Sequence, residues 1–344
     1  MTAAEFAGQR RQDWIELERL LAASARARRL RGSSEELSRF ASLFRSACAD
    51  LARARASGYP DDLCDYLNSL TARSHNLFYV APPFDPRLIS RFFTLLFPMA
   101  VRRNAAYVTA GLLLFYGPLL GMIGLSVSQQ QVLYQLIPRQ TLEQVEKMYE
   151  KGHAQGREET VDVAMTGFYV RNNIGIAFQC FAAGIFIGLG SIITLLFNGM
   201  VIGAIMGFVA QTPAAMNLLS FIIGHGPFEL TAICISGAAG LRLGLGLLIT
   251  GNRRRTESLR LAAREAVYLV IGAAVLLTGA ALIEGFFSPS ALPMAVKFAF
   301  GGLCTCFLVW YLAFFNRAKV RALLRAEQGP GATRALPGAA EVRG

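Results

Sequence analysis

The run RNNIGIAFQCFAAGIFIGLGSIITLLFNGMVIGAIMGFVAQTPAAMNLLSFIIGHGPFELTAICISGAAGLRLGLGLLIT, residues 171–250, decides what kind of molecule this is. About 20 consecutive apolar residues suffice to span the hydrocarbon core of a bilayer. This run holds several such lengths, so lipid is its solvent. Polar residues interrupt it at a few places: R-N-N at 171–173, N-G at 198–199 and H-G-P-F-E at 225–229. Polar groups are expensive at membrane depth, and each needs a partner, a water-filled recess or a function. Glycines recur four apart, at 184/188, 199/203/207 and 240/244. That spacing aligns small residues on one helix face, where two backbones can approach closely. The run reads as a tightly packed membrane core.

The whole chain agrees. It has 344 residues, 53% hydrophobic and 17% charged, with a mean hydropathy of +0.40. Those values fit a polytopic membrane protein with a modest soluble part. The net charge of +11 raises nucleic acid or an anionic leaflet as partners. Because the basic residues flank apolar spans, the lipid bilayer is the expected partner and nucleic acid is not. Six cysteines, at 48, 64, 180, 234, 304 and 306, show no C-x-x-C spacing, so neither a disulfide framework nor a zinc site is indicated. The charged first 80 residues lack the apolar stretch of a cleavable signal peptide.

Residues 1–81 form a cytoplasmic unit of three amphipathic helices in this reading. Trp14, Leu17 and Leu21 mark the first; Leu37, Phe40, Phe44 and Leu51 the second; Leu63, Tyr66, Leu67 and Leu70 the third. Thr2 with Glu5, and Ser33 with Glu36, have capping-box spacing. Arginines 26, 28, 29 and 31 suit a solvated or headgroup-facing surface. Residues 82–103, with Arg87 and Arg91 one turn apart among phenylalanines, suit an interfacial helix.

A transmembrane domain over 104–316 follows, with six crossings near 104–126, 172–197, 199–212, 228–250, 266–286 and 294–315. The third is short, and Met216 to Gly224 suits a re-entrant helix leading back to His225. Arginines 253, 254, 255, 260 and 264, and the basic tail after Asn316, place both termini in the cytoplasm by the positive-inside rule. Segment 127–170 then lies outside and carries an amphipathic helix around Leu142, Val145 and Tyr149. Residues 317–344 form a basic, disordered cytoplasmic tail in this reading.

The sharpest local signal is His225-Gly226-Pro227-Phe228-Glu229. Proline suits the first helical position, so Glu229 can cap a helix start, and that is the plain reading. In the functional one, His225 and Glu229 share a recess where they pair, bind a cation or relay a proton. A zinc hydrolase needs more ligands, and the other histidines, His75 and His153, are not at ligand spacing. No metal, cofactor or catalytic residue is therefore expected. Asn198 with Gly199 suits a chain reversal. Asn172 and Asn173 suit a helix cap, and Arg242 can snorkel. Glu284 and Lys297 form a candidate ion pair near the outer ends of the last two crossings. Phosphate loops, dinucleotide fingerprints, nucleophile elbows and nucleic-acid modules are absent from the sequence.

Several motifs in order give a resemblance: D-W-I-E-L-E at 13–18, F-x-x-L-F-R at 40–45, D-L-A-R-A-R at 50–55 and Y-L-N-S-L-T-A-R-S-H at 66–75. F-P-x-x-V-R at 97–102, F-N-G-M-V-I-G at 197–203 and H-G-P-F-E-L at 225–230 continue it. Together they resemble the stage II sporulation protein M family of bacterial membrane proteins. The resemblance implies an integral membrane protein without known catalytic activity. The founding member is a scaffold that holds cell-wall-degrading enzymes at the septum of sporulating cells. Asn198, Gly199, His225, Gly226 and Glu229 match the family's membrane pattern.

The expectation is thus an all-α polytopic membrane protein of the bacterial inner membrane, with an N-terminal helical unit. It serves as a non-enzymatic scaffold for partner proteins on both faces, cell-envelope or peptidoglycan-remodelling factors among them, and is compatible with a homo-oligomer. The alternative is a transporter or channel component using the polar recess at His225 and Glu229.

Overall fold

A computed structural model describes residues 1–25, 34–79, 85–150 and 159–326. All regular structure among them is helical. The chain divides into two compact units, with the boundary after Pro86.

The first unit contains α1 (Ala3–Ala25), α2 (Ser34–Ala56) and α3 (Asp61–Tyr79). Their apolar faces meet in one core of Phe6, Trp14, Leu17, Leu21, Phe40, Leu43, Leu67 and Leu70, with Leu51, Leu63 and Tyr66 packed against it. The expected helical spacing is therefore what builds this core. Thr2 and Glu5 close a reciprocal capping box: Thr2 N–H donates to Glu5 Oε2 at 2.9 Å, and Glu5 N–H to Thr2 Oγ1 at 3.3 Å. Ser33, of the second expected box, lies outside the described residues, as do the arginines at 26, 28, 29 and 31. Asp50 is buried and satisfied, accepting from Trp14 Nε1 at 2.9 Å and Arg10 Nε at 2.8 Å. On the surface, a hydrogen bond from Arg39 holds the Glu16 carboxyl below the usual carboxylate range.

The second unit begins with α4 (Arg87–Arg91), a π-helical turn at Phe92–Leu96 and α5 (Phe97–Arg103). Phe97, Met99, Ala100 and Val101 are buried. Arg102 donates to the carbonyls of Leu312 at 2.9 Å and Phe315 at 2.6 Å. The segment expected at an interface is thus docked onto the bundle, where it satisfies carbonyls at a helix C-terminus that have no intrahelical donor.

Six long helices follow: α6 (Ala105–Ser128), then, after the short α7 (Gln130–Leu136) and α8 (Arg139–Glu150), α9 (Glu159–Ala182) and α10 (Leu189–Val209). After α11 (Ala215–Ile222) come α12 (Gly226–Leu248), α13 (Arg255–Leu282) and α14 (Met294–Ala313), and α15 (Arg317–Ala326) closes the described chain. Among the described residues, five helices are long and apolar enough to cross a membrane: α6, α10, α12, α13 and α14, the last two together with residues that follow them. The count of six is not reached by that measure, because α9 carries Arg171, Asn172 and Asn173 midway along it. Helix α12 is central: every residue from 232 to 241 is buried, and it packs against α6, α9, α10, α13 and α14. The bundle's outside is apolar, with Leu113, Leu120, Val127, Phe178, Ile193, Val267, Leu303 and Phe307 exposed. A surface of that kind suits lipid rather than water.

Three expectations need correction. The reversal assigned to Asn198–Gly199 occurs earlier, through a 3₁₀ turn at Ala183–Ile185 followed by Ile187 and Gly188, both in the left-handed region (φ 57° and 82°). Asn198 lies inside α10, its amide donating to the Thr194 carbonyl at 2.8 Å. Gly199 permits a close approach instead of a turn: a side-chain carbon there would strike the Phe115 carbonyl oxygen of α6. The stretch 172–212 accordingly holds the end of α9 and the whole of α10. Asn172 and Asn173 are mid-helix and cap nothing; Asn172 Nδ2 donates to Asn173 Oδ1 at 3.1 Å. Finally, residues 159–170 belong to α9, so that helix begins well before residue 172, where the second crossing was expected to start. The amphipathic helix expected within 127–170 is α8, with Leu142 buried and Val145 and Tyr149 packed beside it.

Candidate functional site

The start of α12 and the end of α13 meet around one histidine. His225 is the N-cap of α12, and Pro227 follows within its first turn. Phe228 N–H and Glu229 N–H both donate to the His225 carbonyl, at 3.0 and 3.1 Å, which fixes the histidine at the helix entrance. No side-chain cap bond forms there. The carboxylate of Glu229 instead turns to the imidazole, with Oε2 3.8 Å from His225 Nε2. Glu229 also stays in the first turn of α12, where its charge faces the positive helix end.

The second half comes from a π-helical turn at Ile283–Phe287, continuing α13. Such turns re-aim side chains by one extra residue and recur at functional sites. Glu284 leaves this turn toward His225, its Oε1 4.0 Å from Nε2. Gly285 faces Thr166 of α9 so closely that a methyl group would collide with the threonine hydroxyl. Ser288, just past the turn, places its hydroxyl 3.0 Å from His225 Nδ1. Lys297 Nζ donates to the Ser288 carbonyl at 2.7 Å. His225 is 4% exposed, Lys297 4% and Glu284 8%.

The sequence-derived candidates therefore come together differently from their pairing on paper. His225, Glu229 and Glu284 converge, and their ligand atoms lie within 4.8 Å of one another. Lys297 joins this cluster through the Ser288 carbonyl, and Glu284 faces the histidine. Asn198 hydrogen-bonds within its own helix. Ser288 was missed, because a serine in an S-P-S turn is an ordinary loop residue and only the fold brings it to the histidine. A second polar cluster also escaped notice. Arg242 of α12 donates from Nε to Glu265 of α13 at 2.7 Å. Arg103 NH1 stands 3.8 Å from the other oxygen of that carboxylate.

The membrane domain matches the family model described as stage II sporulation protein M over residues 106–289. The chain belongs to that family. Within the stage II sporulation protein M match lie all of α6 but its first residue, every element through the π turn, and Ser288, hence His225, Glu229 and Glu284 together. Residues 4–80 match a separate model, a domain of unknown function. The motifs at 13–18, 40–45, 50–55 and 66–75 fall under this second model. A relative, an uncharacterized protein of Methanocaldococcus jannaschii, is 31% identical over 123 residues, 34% of this chain and 67% of that protein. No solved structure matches.

Proposed function

We propose that this multi-pass membrane protein is a non-catalytic scaffold of the bacterial cytoplasmic membrane, with both termini cytoplasmic. In this reading it organises partner proteins, cell-envelope or peptidoglycan-remodelling factors among them, and does so as an assembly of copies. The supporting observation is a polar stripe on the outside of an otherwise apolar bundle. Arg171, Asn172 and Gln179 of α9 are exposed and line one groove with Gly175 and Ile176. A charge midway along a membrane helix faces a cavity or another protein, not lipid tails. Gly175 has open space above it, so another backbone can approach. A second copy presenting the same stripe offers side-chain carbonyls of Asn172 and Gln179 to the Arg171 guanidinium. On this reading α9 is the sixth crossing.

The purified protein in mild detergent is expected to be oligomeric by native mass spectrometry. Gly175→Trp and Arg171→Leu should each shift it to monomer while leaving the helical circular dichroism unchanged. Crosslinking in intact cells should recover stable protein partners on the wild type and fewer on either variant. A wild-type monomer that crosslinks to no protein contradicts the proposal. Transport is the second reading, favoured by the buried polar cluster at His225; solute flux in proteoliposomes lost on Glu229→Gln would support it.

A further inference from the structure

We propose that His225, Glu229 and Glu284 bind one divalent first-row metal ion, zinc being the type case. The ion would tie the start of α12 to the π turn after α13. The inference stands on the geometry of the cluster and is independent of the scaffold reading.

At 3.8 and 4.0 Å, Nε2 is too far from either carboxylate oxygen to hydrogen-bond with it. An ion equidistant from three atoms so spaced would lie roughly 2.5 Å from each, a few tenths of an ångström beyond ordinary zinc–ligand lengths of about 2.0–2.2 Å. Small side-chain rotations close that gap.

The Ser288 hydroxyl lies 3.0 Å from His225 Nδ1; in the tautomer protonated at Nδ1, that N–H donates to Ser288 and the Nε2 lone pair faces the carboxylates. Nε2 has no hydrogen-bond partner among the described residues. A lone pair and two carboxylate oxygens facing one another repel, and a cation between them turns that repulsion into coordination. A metal-bound histidine characteristically donates its other ring N–H in this way, which fixes ring orientation. Lys297, on the Ser288 carbonyl at 2.7 Å, steadies the residue that orients the imidazole.

The donor set then selects the ion. One imidazole and two carboxylates suit zinc, manganese or ferrous iron; calcium takes six to eight oxygen ligands. Two carboxylates and a neutral imidazole with a dication carry no net charge, which lowers the penalty for burial in an apolar bundle.

The full-length protein in detergent would be stripped with chelator, incubated with zinc chloride, desalted and assayed by inductively coupled plasma mass spectrometry. About one equivalent of zinc is expected on the wild type. Background is expected on His225→Ala and on Glu284→Gln. Ser288→Ala, which keeps all three ligands, should bind zinc about 10–100-fold more weakly with unchanged helical content. Cobalt(II) should give visible ligand-field bands on the wild type that are absent from Glu284→Gln. Zinc on the wild type no higher than on the His225→Ala/Glu229→Gln/Glu284→Gln triple variant overturns the proposal. So does equal affinity in the wild type and Ser288→Ala.

Discussion

Glu265→Ala is expected to destabilise the bundle by about 3 kcal/mol, because it strands positive charge in a mostly dry place. Glu265 is half of the contact that ties α13 to α12, at 2.7 Å from Arg242 Nε, and it also stands 3.8 Å from Arg103 NH1. The side chains of Arg242, Arg103 and Glu265 are only 17%, 16% and 12% exposed. Removing the carboxylate leaves two guanidinium groups facing each other as like charges with little water to screen them. The stacking of Arg242 over the Tyr107 ring, 5.8 Å to its centroid, remains and recovers a fraction. Glu265→Gln keeps an acceptor for Arg242 and should lose less. Pairing Arg242→Met with Glu265→Leu removes both charges and should be milder than Glu265→Ala alone. Detergent-titration unfolding followed by circular dichroism ranks the three variants. Glu265→Ala indistinguishable from wild type would show that this pair is solvated and carries no structural load.

Gly184→Ala is expected to destabilise by about 3 kcal/mol, the upper end of ordinary overpacking. A side-chain carbon at Gly184 would fall on the backbone of Gly240 in α12, and one at Gly244 would fall on the backbone of Gly188 and Gly184. Two pairs of glycines four apart thus cross each other with no side chain between them. The obstruction is backbone, so no rotamer change relieves it and one helix must move. Gly279→Ala on α13 is the matched control, since nothing lies within 4 Å of the added carbon. Alanine there should be neutral or stabilise by up to about 1 kcal/mol through helix propensity. Similar losses at 184 and 279 would mean that helix flexibility, not close crossing, explains these glycines.

Hydropathy and glycine spacing made the membrane bundle legible, because lipid imposes long apolar helices and close crossings leave a mark every four residues. The three-helix core of residues 1–79 was legible for a similar reason: a 3.6-residue period places Trp14, Leu17 and Leu21 on one side whatever they touch. The reversals between helices were less so. Asn-Gly at 198–199 has turn chemistry, yet Gly199 serves the seam with α6 and Asn198 bonds back to its own helix. The true reversal at Ile187–Gly188 puts a β-branched residue at positive φ, which local propensity argues against.

The site was half visible. His225 and Glu229 lie four apart on one helix, so their proximity follows from helical geometry alone. Glu284 and Ser288 reach them only because α13 returns alongside α12 and ends in a π turn. Nothing at 284 or 288 announces that encounter, and the nearest apparent partner of Glu284 along the chain was Lys297. Arg242 likewise gave no hint of Glu265, since a pairing between two helices leaves no local pattern.

Thiol accessibility tests most directly the claim that lipid surrounds six passes of this chain. In a variant that retains Cys48, lacks the other five cysteines and carries Arg254→Cys, intact cells would be treated with a membrane-impermeant maleimide. Six crossings with α9 among them place Cys48 and the cysteine at 254 on the cytoplasmic side, so both should be protected until the cells are permeabilised. Labelling of either one in intact cells would contradict this topology, and labelling of only one would show that α9 does not cross.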